Sequence, residues 1–141
     1  MSASYANFGI HFLYPDNWAV TDEQPEEWPR SVSVQSPSGA YWELQLYPSR
    51  MNPAQLSKRV LQAMQEVYTD IEFKAVTEDL WDVSATGYDL DFFCLDFLVT
   101  SRIRCFWVGS RTCPLTCQAE SREFDQQQQV FAAITKSFLN S

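Results

Sequence analysis

Chemistry in this chain would have to come from one histidine, four cysteines and eighteen acids. The histidine, His11, lies in residues 8–13, which alternate apolar and polar residues and read as a strand. An imidazole works as a general base only within hydrogen-bond reach, directly or through a water, of the proton it removes. The chain carries no G-x-S-x-G, no glycine-rich phosphate loop and no H-E-x-x-H. With four glycines in all, a backbone cradle for phosphate is not expected either. His11 therefore reads as a strand residue, with its ring at the surface or hydrogen-bonded. No catalytic residue, cofactor or metal site is expected.

The cysteines are Cys94, Cys105, Cys113 and Cys117. Cys113 and Cys117 form C-x-x-x-C, not the C-x-x-C of redox and zinc sites. On one strand they would lie roughly 13 Å apart, beyond the reach of a disulfide. A three-residue loop at 110–112 would set Cys105 opposite Cys117. Free thiols are expected for a cytoplasmic protein.

The carboxylates gather in two stretches. Asp22, Glu23, Glu26 and Glu27 lie in a polar loop over residues 21–29, where Pro25 and Pro29 stop any helix. Asp89 and Asp91 lie in an apolar run with Asp96. Neither stretch has the D-x-D-x-D-G core of a calcium loop. A hairpin turn at 99–101 would place Asp96 opposite Arg104, a cross-strand ion pair contributing about 0.2–1 kcal/mol. Asp22, Glu23, Glu26, Glu27, Asp89 and Asp91 together are the candidate acidic patch for a partner. Net charge is −8, so nucleic acid and anionic membranes are not expected partners, whereas a basic protein surface is.

These residues must be carried by alternating strands and two helices. Residues 31–35 and 40–47 flank Ser36-Pro37-Ser38-Gly39 and read as a hairpin, with Trp42, Leu44 and Leu46 facing the core. Asn52 and Pro53 open a helix whose stripe is Leu56, Val60, Leu61, Met64, Val67 and Tyr68. Residues 71–77 read as a strand. Residues 88–98 read as one long strand that is apolar on both faces and so lies between two covering layers. Residues 103–109 and 112–119 complete a meander, and Pro114 assigns the last strand to an edge or a bulge. Ser121 is the expected cap of a final helix over residues 122–139, buried along Phe124, Phe131, Ile134 and Phe138. A chain of 141 residues fits one domain over 1–141, with enough core to fold without disulfides. No leader-like segment and no run of about 20 apolar residues is present, so a cytoplasmic location is expected.

The run Phe8-Gly9-Ile10-His11-Phe12-Leu13-Tyr14-Pro15-Asp16-Asn17-Trp18 carries the pattern G-I-x-F-x-Y-P-x-x-W. The ending, Phe124 and then Phe131 to Phe138, carries F-x-x-I-x-x-S-F. Both resemble domains of the PsbP-like fold. That group includes the PsbP subunit of photosystem II, a Ran-binding nuclear import factor and bacterial DcrB-like proteins. Residues 88–131 also look like small bacterial proteins. The resemblance implies an α+β fold: an antiparallel sheet of about six or seven strands with helices packed on both faces, α/β/α. It also implies a non-enzymatic accessory or protein-binding module. Two alternatives stand beside that reading. One is a small-molecule binder or hydrolase whose site is assembled from distant carboxylates and aromatics. The other is a homodimer joined through an exposed strand edge or an aromatic patch.

Overall fold

The computed structural model describes residues 1–23 and 28–141, with only the backbone of Glu23. Glu26 and Glu27 of the expected patch lie outside the described residues.

The chain opens with a hairpin, β1 (Ser2–Asn7) and β2 (Ile10–Pro15). The expected strand over 8–13 starts later, because Phe8 and Gly9 form the turn with φ of 53° and 77°. Next come β3 (Ala19–Glu23), β4 (Arg30–Gln35), β5 (Tyr41–Leu46) and helix α1 (Pro53–Val67). β3 runs into what reads in sequence as loop. The antiparallel meander β6 (Glu72–Leu80), β7 (Val83–Cys94), β8 (Phe97–Val108) and β9 (Arg111–Glu120) leads into α2 (Ser121–Leu139). The result is α+β: a two-stranded sheet, β1-β2, and a seven-stranded antiparallel sheet ordered β3-β4-β5-β9-β8-β7-β6.

The hairpin over 31–47 forms as expected, and Trp42, Leu44 and Leu46 are buried. Trp42 is fully enclosed. Its indole N–H donates to Thr135 Oγ1 (2.9 Å), and that hydroxyl donates to the Phe131 carbonyl (2.8 Å). α1 starts as its sequence dictates, with Asn52 Oδ1 accepting from the Gln55 N–H at 3.1 Å and Pro53 in the first turn. Leu56 and Leu61 are buried, worth about 1.5–3 kcal/mol each. Val67 is exposed, so the apolar stripe is narrower than its spacing suggests. α2 is capped by Glu120, which accepts from the Glu123 N–H, and not by Ser121.

Two turn placements expected in the meander are corrected. Residues 88–98 are not one strand: the chain reverses at Leu95-Asp96, between the paired Cys94 and Phe97. That moves the register. Asp96 is in a turn, Arg104 faces Gly87, and Asp89 faces Arg102. Likewise β8 turns into β9 at Gly109-Ser110, so Cys105 faces Pro114 and Cys117 faces Arg102. All four cysteines are free.

Pro114 lies in the central strand, not at an edge. Tyr47 and Thr112 exchange backbone hydrogen bonds (2.9 and 3.3 Å), so the even-numbered residues of β9 point their N–H groups at β5. Pro114 is one of these. The β5–β9 ladder pairs Leu44 with Leu115, skips the proline, and resumes at Tyr47–Thr112. A missing N–H is tolerated where the ladder already has a gap.

The core divides into two clusters. Leu56 and Leu61 of α1 join Leu90, Phe92, Ile103 and Cys105. Phe124, Phe131, Ile134 and Phe138 of α2 join Phe12, Trp18, Trp42, Phe106 and Leu115.

Candidate functional site

The six acids of the expected patch do not form one surface. Asp22 is on β3, at one edge of the seven-stranded sheet, and accepts from the Tyr5 hydroxyl at 2.6 Å. Burial, then that hydrogen bond, raises the Tyr5 phenol above its ordinary value. Asp89 and Asp91 are on β7, next to the opposite edge. They share one face of that strand, since their positions differ by two.

Asp89 belongs to a cluster of four charges. Arg104 Nη2 lies 2.8 Å from Asp89 Oδ1 and 3.3 Å from Glu78 Oε2, and Arg102 Nε lies 3.8 Å from Asp89. Arg104 is buried, and its Nη1 donates to the Ile103 carbonyl at 3.0 Å. Gly87 makes this packing possible: a Cβ there would lie 1.8 Å from the Ile103 oxygen. Beside the cluster is a cleft of about 150 Å³, lined by Glu78, Trp81, Arg102, Arg104, Phe124 and Gln128. Drug-sized ligands occupy roughly 300–1,000 Å³, so this cleft is small for one. Its chemistry is also quiet. The carboxylate Glu78 is held by a guanidinium. Burial pushes the lining thiol Cys117 up to about 12, where the thiolate needed for nucleophilic attack is scarce. His11 is exposed on β2 and does not line the cleft. Among the described residues no three His, Cys, Asp or Glu side chains are grouped to hold a metal ion.

The other prominent feature is the tip of the β7–β8 hairpin. Phe93 is 66% exposed, Leu95 91%, Phe97 61% and Leu98 39%. Leu95 is at the turn with φ +57°, a left-handed conformation that a bulky side chain adopts only at a cost. Glycine or asparagine is the usual residue there. Below the tip the strands are well packed: Phe92 is buried with its ring 4.3 Å from that of Tyr68, at the end of α1. The nearest charged residues on the strands are acids. Asp96 is in the turn, Glu120 faces Val99, and Asp91 faces Glu72 on one side and Thr100 on the other. Lys74 on β6 and Arg122 in the first turn of α2 are the cations closest to them in sequence. The tip is thus an apolar knob with an acidic rim, an arrangement suited to contact and not to catalysis.

The sequence pointed to Asp91 but missed the knob. Asp96 is a common turn residue, but Leu95 stands at the positive-φ position where glycine or asparagine would mark a turn, so the apolar run read straight through it. The available signal was length: a single strand over residues 88–98 is twice as long as a typical strand of about 5–6 residues.

No family model matches the chain, and no curated protein does. Solved structures do match. The solution structure of PsbP (CyanoP) from Synechocystis sp. PCC 6803 superposes with a TM-score of 0.69 at 11% identity, covering 96% of this chain and 90% of that one. LpqN of Mycobacterium tuberculosis, described as involved in cell envelope biogenesis, gives 0.55 at 13% identity, covering 96% and 88%. PA94 of Pseudomonas aeruginosa, a protein of unknown function, gives 0.54 at 9% identity, covering 99% and 95%. The fold is PsbP-like. At these identities the likeness is one of fold alone.

Proposed function

We propose that this PsbP-like chain is a non-enzymatic accessory module that docks onto a protein partner through the β7–β8 tip. The observation that carries the reading is the exposure of Phe93, Leu95, Phe97 and Leu98 together, with Leu95 held in a strained turn. Local strain tends to persist where a site needs it, and apolar side chains gathered at one exposed point mark contact surfaces. The acids around the knob set the chemistry of the partner: an apolar pocket whose rim carries lysine or arginine. The same acids disfavour an anionic lipid surface.

The proposal includes a three-layer arrangement, with α1 and α2 on opposite faces of the large sheet. It is supported by the alternation along β8, where Ile103 and Cys105 belong to the cluster of α1 and Phe106 to that of α2. It also includes a reducing, cytoplasmic setting, supported by four unpaired thiols, three of them buried. No described helix is long and apolar enough to cross a membrane.

Photo-crosslinking in the native host tests the docking. A crosslinking residue at Leu95 is expected to give one discrete protein adduct, weakened by salt. The same probe at exposed Lys58, on α1, is expected to give none. Equal adducts from both positions would remove the tip as the docking element.

A further inference from the structure

We propose that a second copy of this chain pairs with the first through the free edge of β6, in an antiparallel register with Val76 on the two-fold axis. β6 is an edge strand of nine residues, and seven of its side chains are exposed. The opposite edge, β3, has five residues.

The hairpins fix which groups β6 leaves unpaired. Leu80 and Val83 flank a two-residue loop, Trp81-Asp82. Residues flanking such a loop exchange both backbone hydrogen bonds, and bonded pairs then alternate along the ladder. The even-numbered residues of β6 therefore bond β7. The odd-numbered ones, Phe73, Ala75, Thr77 and Asp79, present N–H and C=O groups to the outside. The Cys94–Phe97 and Val108–Arg111 pairs, each flanking its own two-residue loop, give the same phase across β7, β8 and β9. The Tyr47–Thr112 bonds agree with it.

Charged side chains usually protect an edge from association. On β6 their order makes the edge complementary to itself. With Val76 against Val76, Ala75 bonds Thr77 and Phe73 bonds Asp79 of the other copy. Lys74 then lies across from Glu78, twice by symmetry. Shifting the register by two residues in either direction loses this match. Lys74 makes no ion pair among the described residues: its own cross-strand neighbour, Asp89, is held by both Arg102 and Arg104, whereas Glu78, 41% exposed, is held by Arg104 alone, at 3.3 Å. The pairing would extend one sheet through both copies.

The test is sedimentation of the full chain over a concentration series, with three variants. Wild type is expected to self-associate. Thr77→Pro removes an outward N–H without touching the β6–β7 ladder, and is expected to be monomeric with its melting transition retained. Lys74→Glu opposes two acids twice and is expected to weaken association about tenfold. Register is read with Val76→Cys in a Cys94→Ser background. Non-bonded antiparallel pairs sit about 4.5 Å apart between Cα atoms, within disulfide reach. Oxidation is expected to link Val76→Cys chains into a dimer and to leave Phe73→Cys chains unlinked. A wild-type monomer at every concentration would overturn the proposal. So would Thr77→Pro that associates as wild type does, or equal linking from both cysteine positions.

Discussion

β8 begins and ends in two-residue turns, and the two differ in kind. At its C-terminal end the chain reverses through Gly109, at φ +59°, where glycine adopts that conformation without strain. The neighbourhood is anchored: Arg50 donates to the Gly109 carbonyl at 2.9 Å and its guanidinium lies 4.6 Å from the Trp107 ring. At the N-terminal end the same reversal uses Leu95, at φ +57° and with its side chain in water. One turn is built for stability and the other presents an apolar group despite the strain. The contrast separates the parts of this molecule that hold the fold from the part available to a partner.

Substitutions that sharpen the contrast fall in order of size. Gly87→Ala belongs to the fold-holding side and should cost the most. Its methyl would meet the Ile103 carbonyl, a backbone atom that cannot yield cheaply. Chemical denaturation should show a loss of about 3 kcal/mol. Thr135→Val, which keeps shape but strands the buried Trp42 N–H, should cost about 1–3 kcal/mol by the same measurement. Leu95→Gly, on the presenting side, should do the opposite and raise stability by up to about 1 kcal/mol, less than the full strain because glycine also gains freedom when unfolded.

Thiol chemistry separates the two regions as well. Burial raises Cys105, Cys113 and Cys117 from 9.0 to about 12, whereas Cys94, beside the tip, is only half-buried. At pH 8 a thiol reagent should modify Cys94 quickly, and the other three only on unfolding. A thiol whose pKa is raised by folding stabilises the native state fully below its unfolded value. That contribution is lost as pH rises towards the folded value. Stability should therefore fall between about pH 9 and 12, by up to about 1.4 kcal/mol per pH unit per thiol. Denaturation midpoints across that range provide the check.

The fold-holding half was the more legible in sequence. Alternation in 41–47 gave the buried face of β5, and Asn52-Pro53 gave the start of α1, because both signals are local. Phe131, Ile134 and Phe138 marked the buried stripe of α2 for the same reason. The meander was less legible, since its register depends on where each turn falls, and Leu95 stands where glycine or asparagine would have marked the turn. Misplacing that reversal moved Arg104 from Asp89 to Asp96 and closed the exposed tip inside a covered strand. Pro114 misled for a different reason: edge and centre cannot be told apart without knowing which neighbour the missing N–H would face.

The most direct measurement places the crosslinking probe at Phe97 and compares its adduct yield in the native host between wild type and Leu95→Gly. A docking tip predicts that the yield falls severalfold in the variant although the folded protein is at least as stable. An unchanged yield would mean that Leu95 is strained for no partner, and would contradict docking through the tip.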